Sequence, residues 1–241
     1  DGPTNDWATV GRFFVFQDQY GNNASNIIGY WVKRVGVSTN ANTLEILASP
    51  FTNNWPTNSL NHTLRLTEAA APYGFTLYRW DVAAQAYGAP ILWQTNASNQ
   101  ARWQSTNTNP AWLQVPPGEG LFFKNPSPYS TDVLMYGIMP LNSLTNAIPS
   151  GQSLKASLVM KTDRLVNLEF PSRDGDTVFV WDVLLQEYLG WAYIDGYGWY
   201  TVDGVLDVLG PVVKPGTGFW IERLGSGSWG QTRPVTWPSQ F

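Results

Sequence analysis

Thr76-Leu-Tyr-Arg-Trp80-Asp81-Val82, followed by Gln85 and Tyr87, decides the reading, because it is written twice. About 100 residues later comes Thr177-Val-Phe-Val-Trp181-Asp182-Val183, with Gln186 and Tyr188. Each copy is β-branched and aromatic up to the Trp and then turns polar, as a strand entering a turn does. A second pair recurs in the same order. Val115-Pro-Pro117-Gly118-Glu119-Gly120-Leu-Phe122-Phe123 returns as Val213-Lys-Pro215-Gly216-Thr217-Gly218-Phe-Trp220-Ile221. Pro-Gly supplies the turn, and the apolar run behind it suits a strand covered on both faces.

Other positions fall between these anchors. Trp93 and Trp103 align approximately with Trp191 and Trp199, Ile28-Gly29-Tyr30 resembles Tyr136-Gly137-Ile138, and Leu44 can be set against Leu154. The expected fold is all-β: two tandem, related small β-sandwich or barrel modules with an N-terminal strand extension. The divisions are residues 1–25 for the extension, 26–139 for the first module and 140–241 for the second. Strands are expected in the first module near Ile27–Val37, Thr43–Ala48, Phe75–Trp80, Pro90–Gln94, Arg102–Ser105, Gly120–Lys124 and Val133–Ile138. Thr67–Ala71 is read as one helical turn, and Phe51–Ser59 as a surface insertion.

Composition agrees with strands and tight turns. The 241 residues include 13 Trp, 11 Tyr, 11 Phe, 22 Gly and 17 Pro, while only 13% are charged. Disorder needs the opposite balance. The net charge is −4, and no basic stripe exists to displace counterions, so nucleic acid is not an expected partner. No apolar stretch is long enough for a membrane-spanning helix. The chain starts at Asp1 rather than Met, which fits a removed leader, and the low charge and abundant Asn, Ser and Thr lean towards a secreted, extracellular or cell-surface location.

The chemistry available is sparse. Zero Cys excludes disulfides and thiolate sites, and His62 is the only histidine. It sits in Leu60-Asn-His-Thr-Leu without a nucleophile elbow, so a Ser-His-Asp triad is not expected. Asp81 and Asp182 could be paired carboxylates of a glycosidase, but a residue recurring behind a strand Trp is better read as fixing a turn. Gly118-Glu-Gly120 and Gly216-Thr-Gly218 precede strands, not helices, and so are not phosphate loops. Asp174-Gly-Asp176 and Asp195 offer oxygens for Ca²⁺, although such acids usually just make the turn. No catalytic residue, metal ligand or cofactor is assigned.

The order of these motifs resembles that of uncharacterised secreted two-repeat β-proteins of the verrucomicrobial type, over about Asn26 to Val235. The resemblance implies secretion and carries no activity with it.

Two functional readings remain. The first is a non-enzymatic extracellular structural protein, whose partner is itself, self-assembling through β-strand and aromatic contacts into a filament, tube or surface layer. Its candidate assembly strand is Phe13, Phe14, Val15 and Phe16, which lies outside the repeat and must pair within its own module or on a neighbouring subunit. The alternative is a carbohydrate-binding module or lectin with a polysaccharide partner. It would use Tyr193, Tyr197 and Trp199 as sugar-stacking rings, the bland reading being cross-strand aromatic pairs.

Overall fold

The computed structural model describes residues 13–17, 27–35, 42–49, 64–66, 74–106, 113–139, 143–159 and 161–232. Among them the protein is all-β, relieved by a single-turn 3₁₀ helix at Val166–Leu168. The expected turn at Thr67–Ala71, the insertion Phe51–Ser59 and His62 lie outside the described residues.

Among the described residues every strand pairing is antiparallel, as expected when short strands are joined by tight turns. One four-stranded sheet has the order β1 (Phe13–Gln17), β2 (Ile27–Val35), β10 (Thr131–Met139), β4 (Leu64–Leu66). A second runs β3 (Thr43–Leu47), β9 (Leu121–Asn125), β5 (Thr76–Asp81), β7 (Ile91–Thr95), β8 (Ala101–Ser105), with β6 (Ala86–Tyr87) also on β5. A third runs β12 (Gly151–Ala156), β18 (Gly218–Arg223), β14 (Thr177–Asp182), β15 (Glu187–Ile194), β16 (Gly198–Thr201). Two ribbons complete the pairing among the described residues: β11 (Leu144–Ile148) with β19 (Gly227–Gln231), and β13 (Asp163–Arg164) with β17 (Val212–Val213).

The second and third sheets share one order. In each, the earliest strand lies at one edge, the latest lies beside it, and the others follow in sequence. Each is also flanked by the same extra pairing, of the strand before its first with the strand after its last: β2 with β10, and β11 with β19.

Each sheet covers its own core. Phe75, Leu77, Trp103, Leu121 and Phe123 belong to one cluster, and Val178, Trp199, Phe219, Ile221 and Trp229 to the other. The large rings bring a polar handle that usually finds a partner when buried; Trp199 Nε1 has none among the described residues, but two others do. Trp103 Nε1 donates to the Leu64 carbonyl at 2.9 Å and Trp229 Nε1 to that of Leu168 at 2.8 Å. Alternation sorts the apolar runs behind the Pro-Gly turns. Leu121 and Phe123 face the first core while Phe122 points the other way, and Phe219 and Ile221 face the second core while Trp220 points away.

One ion pair lies inside the second core. Arg223 and Asp176 side chains are each 1% exposed and meet through two hydrogen bonds, Arg223 Nε to Asp176 Oδ1 at 2.8 Å and Nη2 to Oδ2. Asp176 also accepts the Arg173 N–H, and Arg223 Nη2 donates to the Pro171 carbonyl. Such a pair is costly to bury unless its other hydrogen-bonding groups are met, and here Arg223 Nη1 is buried without a hydrogen-bond partner among the described residues.

Candidate functional site

The site begins with the recurring Trp-Asp turns. Asp81 Oδ1 accepts the N–H groups of Ala83 and Ala84 at 2.9 and 3.0 Å, and Asp182 Oδ1 those of Leu184 and Leu185 at 2.8 and 3.0 Å. Both carboxylates are therefore occupied with making turns. Each turn ends on a left-handed glutamine, Gln85 at φ 50° and Gln186 at φ 56°, whose Nε2 donates to the Val82 or Val183 carbonyl at 2.6 Å.

Those glutamines and the motif tryptophans then reach across to the other sheet. Trp80 Nε1 and Gln85 Nε2 donate to the Gln152 carbonyl at 2.9 and 3.1 Å, and Gln85 Oε1 accepts the Gln152 N–H at 2.8 Å. In the opposite direction, Trp181 Nε1 and Gln186 Nε2 donate to the Leu44 carbonyl at 2.6 and 3.3 Å, and Gln186 Oε1 accepts the Leu44 N–H at 2.7 Å. Leu44 and Gln152 sit on β3 and β12, the edge strands, whose outer N–H and C=O groups have no ladder partner in their own sheets. A glutamine amide offers a donor and an acceptor side by side, so it caps such an edge as another strand would. Two reciprocal clasps result. They set Leu44 against Gln152, two positions from the Leu154 expected from sequence.

Backbone contacts tie the same surfaces together. Leu47 bridges Thr217 and Glu119 bridges Lys155, while Ala48 N–H donates to Gly216 and Ala156 N–H to Gly118. The approach is close enough to require glycine. A Cβ on Gly120 would stand 2.6 Å from Leu154 Cγ; one on Gly218 would stand 2.6 Å from Ile46 Cγ2 and 3.3 Å from the Gly120 Cα.

Charge is distributed unevenly across this junction. Arg79 grips Glu119 with two bonds, at 2.5 and 3.0 Å, beside Lys155. Burial raises the Glu119 carboxyl above its ordinary value despite the neighbouring cations, and burial lowers Lys155. On the other side Val180 and Thr217 stand in the places of Arg79 and Glu119. There Lys33 pairs with Glu45 and donates to Thr217 Oγ1 at 2.9 Å, bordering a cavity of about 530 Å³.

Between the clasps the outward rings gather. Trp80 meets Trp220 at 4.5 Å with the planes 89° apart, Trp80 meets Tyr87 at 5.1 Å and 84°, and Tyr87 meets Trp220 at 6.0 Å and 76°. Trp181 packs edge-on against Tyr188 at 4.6 Å and Phe122 at 6.2 Å. Trp220 Nε1 donates to Tyr188 Oη at 3.0 Å, and the Tyr87 phenol is a neighbour of the Tyr188 phenol. Burial is the main cause that raises both phenols. Trp80, Tyr87, Gln152, Phe179, Tyr188, Trp220 and Glu222 line an open cleft of about 410 Å³ here.

The residues singled out from sequence lie elsewhere. Phe13–Gln17 forms β1 and pairs with β2 of the same chain, Phe13 opposite Trp31, Phe14 opposite Tyr30, Val15 opposite Gly29 and Phe16 opposite Ile28. Trp199 is fully buried in the second core, so its ring offers no face for stacking. Tyr193 lies opposite Trp199 in register at 5.3 Å, as Trp93 lies opposite Trp103 at 5.1 Å. That register makes Tyr193, not Trp191, the residue that answers to Trp93. Tyr197 alone projects, at 68% exposure. Of the acids considered for Ca²⁺, Asp176 is engaged by Arg223, Asp174 accepts the Asp195 N–H, and no group of three metal-ligating side chains occurs among the described residues.

A different surface stands out beside β16. The chain from Val202 to Leu209 folds back along this edge through Thr201 N–H to the Val205 carbonyl, Asp207 N–H to that of Trp199 and a Tyr200–Leu206 bridge. Asp207 is pinned by Arg164 at 2.7 Å and Trp191 at 3.3 Å. Val202, Val205, Leu206 and Val208 are nevertheless 71%, 62%, 52% and 52% exposed. Among the described residues, every exposed large hydrophobic except Tyr87 and Tyr129 lies after residue 160. No helix among the described residues is long and apolar enough to cross a membrane. No protein-family model, curated protein or solved structure matches the chain.

Proposed function

We propose that the chain is a non-enzymatic extracellular structural subunit, built from two copies of one β-module, that self-assembles into a filament, tube or surface layer. The supporting observation is the aliphatic segment Val202–Leu209. Solvent would ordinarily drive such side chains inward, but here hydrogen bonds at Asp207 and along β16 hold them out. An apolar face fixed on the surface of a chain is suited to contact with another protein. The shared strand order of the two sheets and the reciprocal clasps support duplication, and so does the resemblance to two-repeat secreted proteins of verrucomicrobial type. Two quasi-equivalent modules in one subunit favour head-to-tail contacts, which grow into a polymer if they do not close. β1, an outer strand of its sheet, is the candidate for the strand contact.

Sedimentation velocity on the full chain and on Val205→Glu/Val208→Glu tests the reading. Both positions are exposed, so the variant folds. Concentration-dependent large species are expected for the native protein and lost in the variant. Unchanged assembly in the variant removes this face from the contact.

A second reading, carbohydrate binding, is favoured by the aromatic cleft between the clasps rather than by Tyr193, Tyr197 and Trp199.

A further inference from the structure

The cleft between the clasps has walls and polar groups that can be assigned to one ligand chemistry. Trp80, Tyr87 and Trp220 meet edge-to-face, and Tyr87 and Tyr188 keep 40% and 39% of their surface open to solvent. A volume of about 410 Å³ lies within the range of small-molecule sites.

Counting hydrogen bonds shows which polar atoms are left for a ligand. The indole N–H groups are used, that of Trp80 on the Gln152 carbonyl and that of Trp220 on Tyr188 Oη. The two phenols bring two O–H protons, and a bond between them uses one at most. Whichever phenol donates, one O–H proton remains for a ligand acceptor. Glu222 is exposed on the rim; Gln152 Nε2 approaches it at 3.5 Å, and no Lys or Arg among the described residues pairs with it. A carboxylate not paired with a cation accepts hydroxyl protons.

We propose that this cleft binds a neutral sugar ring, stacked by its C–H face on one ring of the wall formed by Tyr87, Tyr188 and Trp220, with hydroxyls donating to Glu222 and accepting from the phenols. This rests on the carbohydrate-binding reading and gives it a place. A quaternary ammonium fits poorly. It uses neither donor nor acceptor, and its recognition needs rings around a common centre, whereas these rings touch one another. An acidic sugar meets repulsion from Glu222.

The test is an array of glucan, mannan, xylan and chitin oligosaccharides, with pectin and alginate oligosaccharides alongside, probed with the full chain. Choline chloride is titrated separately by tryptophan fluorescence. Binding to at least one neutral oligosaccharide is expected. It should weaken about tenfold in Glu222→Gln, which removes one charged acceptor at an exposed position. It should also weaken in Tyr188→Phe, and stay unchanged in Tyr197→Ala. If sugar binding survives Glu222→Gln and Tyr188→Phe but is lost in Tyr197→Ala, the protein binds carbohydrate and the cleft is not the place. A silent array with folded protein overturns the site and the carbohydrate reading together. Binding of choline or of acidic sugars alone overturns the assigned chemistry.

Discussion

Replacing Gln186 by alanine separates a clasp from an ordinary surface turn. The change removes the acceptor for the Leu44 N–H (2.7 Å), a donor to the Leu44 carbonyl (3.3 Å) and the bond that closes the turn on Val183 (2.6 Å). Trp181 Nε1 still reaches the Leu44 carbonyl, so that group keeps a partner and the N–H does not. A net hydrogen bond contributes about 1 kcal/mol, and an orphaned donor costs about 1–3 kcal/mol when fully buried. Leu44 is only half-buried, which puts the sum near 2 kcal/mol. For a chain of this size that is a fall in melting temperature of about 4–8 °C. Gln85→Ala removes the matching bonds, but Gln85 and Gln152 are both exposed and water replaces what is lost. Its effect is expected to be about half as large. Differential scanning calorimetry of both variants reads the difference. Equal effects, or a Gln186→Ala protein as stable as the native one, would refute the reasoning that these amides cap strand edges and matter more where the edge is sheltered.

Gly218→Ala adds a methyl where Ile46 Cγ2, the Lys155 carbonyl and the Gly120 Cα already stand within 3.3 Å, so overpacking of about 1–3 kcal/mol is expected in urea denaturation. Gly196→Ala, at φ 77° with open space around it, carries only local backbone strain and is the milder control. Asp176→Asn leaves Arg223 charged and buried, and about 3–5 kcal/mol should be lost, read as a shifted urea midpoint. Glu119 has its folded-state pKa raised above 4.5, so the folded state holds the proton more tightly than the unfolded one. Its contribution to stability is therefore full below pH 4.5 and lost as pH rises through the folded value. Urea midpoints measured from pH 4 to 7 should carry a falling component that Glu119→Gln lacks.

Turn chemistry was legible in the sequence because it is local. A carboxylate behind a strand Trp accepts the next N–H groups wherever the strand ends up, and Asp81 and Asp182 do so. The all-β class was legible for the same reason, from β-branched and aromatic runs broken by Pro and Gly. The consecutive apolar residues of β9 and β18 signalled strands covered on two faces, one by core and one by the opposite sheet. What Trp80, Gln85, Trp181 and Gln186 hold was hidden, since their partners are backbone atoms of Gln152 and Leu44, which any residue type supplies. The aromatic alignment slipped by two positions: Trp191 stands opposite Val178 as Ile91 stands opposite Leu77, and the place of Trp93 falls to Tyr193. Exposure of Val202–Leu209 was hidden as well, because an aliphatic run reads as core until the strand beneath it is known to be an edge.

The central claim, that this chain builds a polymer, is tested most directly by negative-stain electron microscopy of the purified full chain over a range of concentrations. Filaments, tubes or sheets with a regular subunit repeat are expected. Uniform single particles of one chain's size at every concentration, from protein that calorimetry shows to be folded, would contradict it.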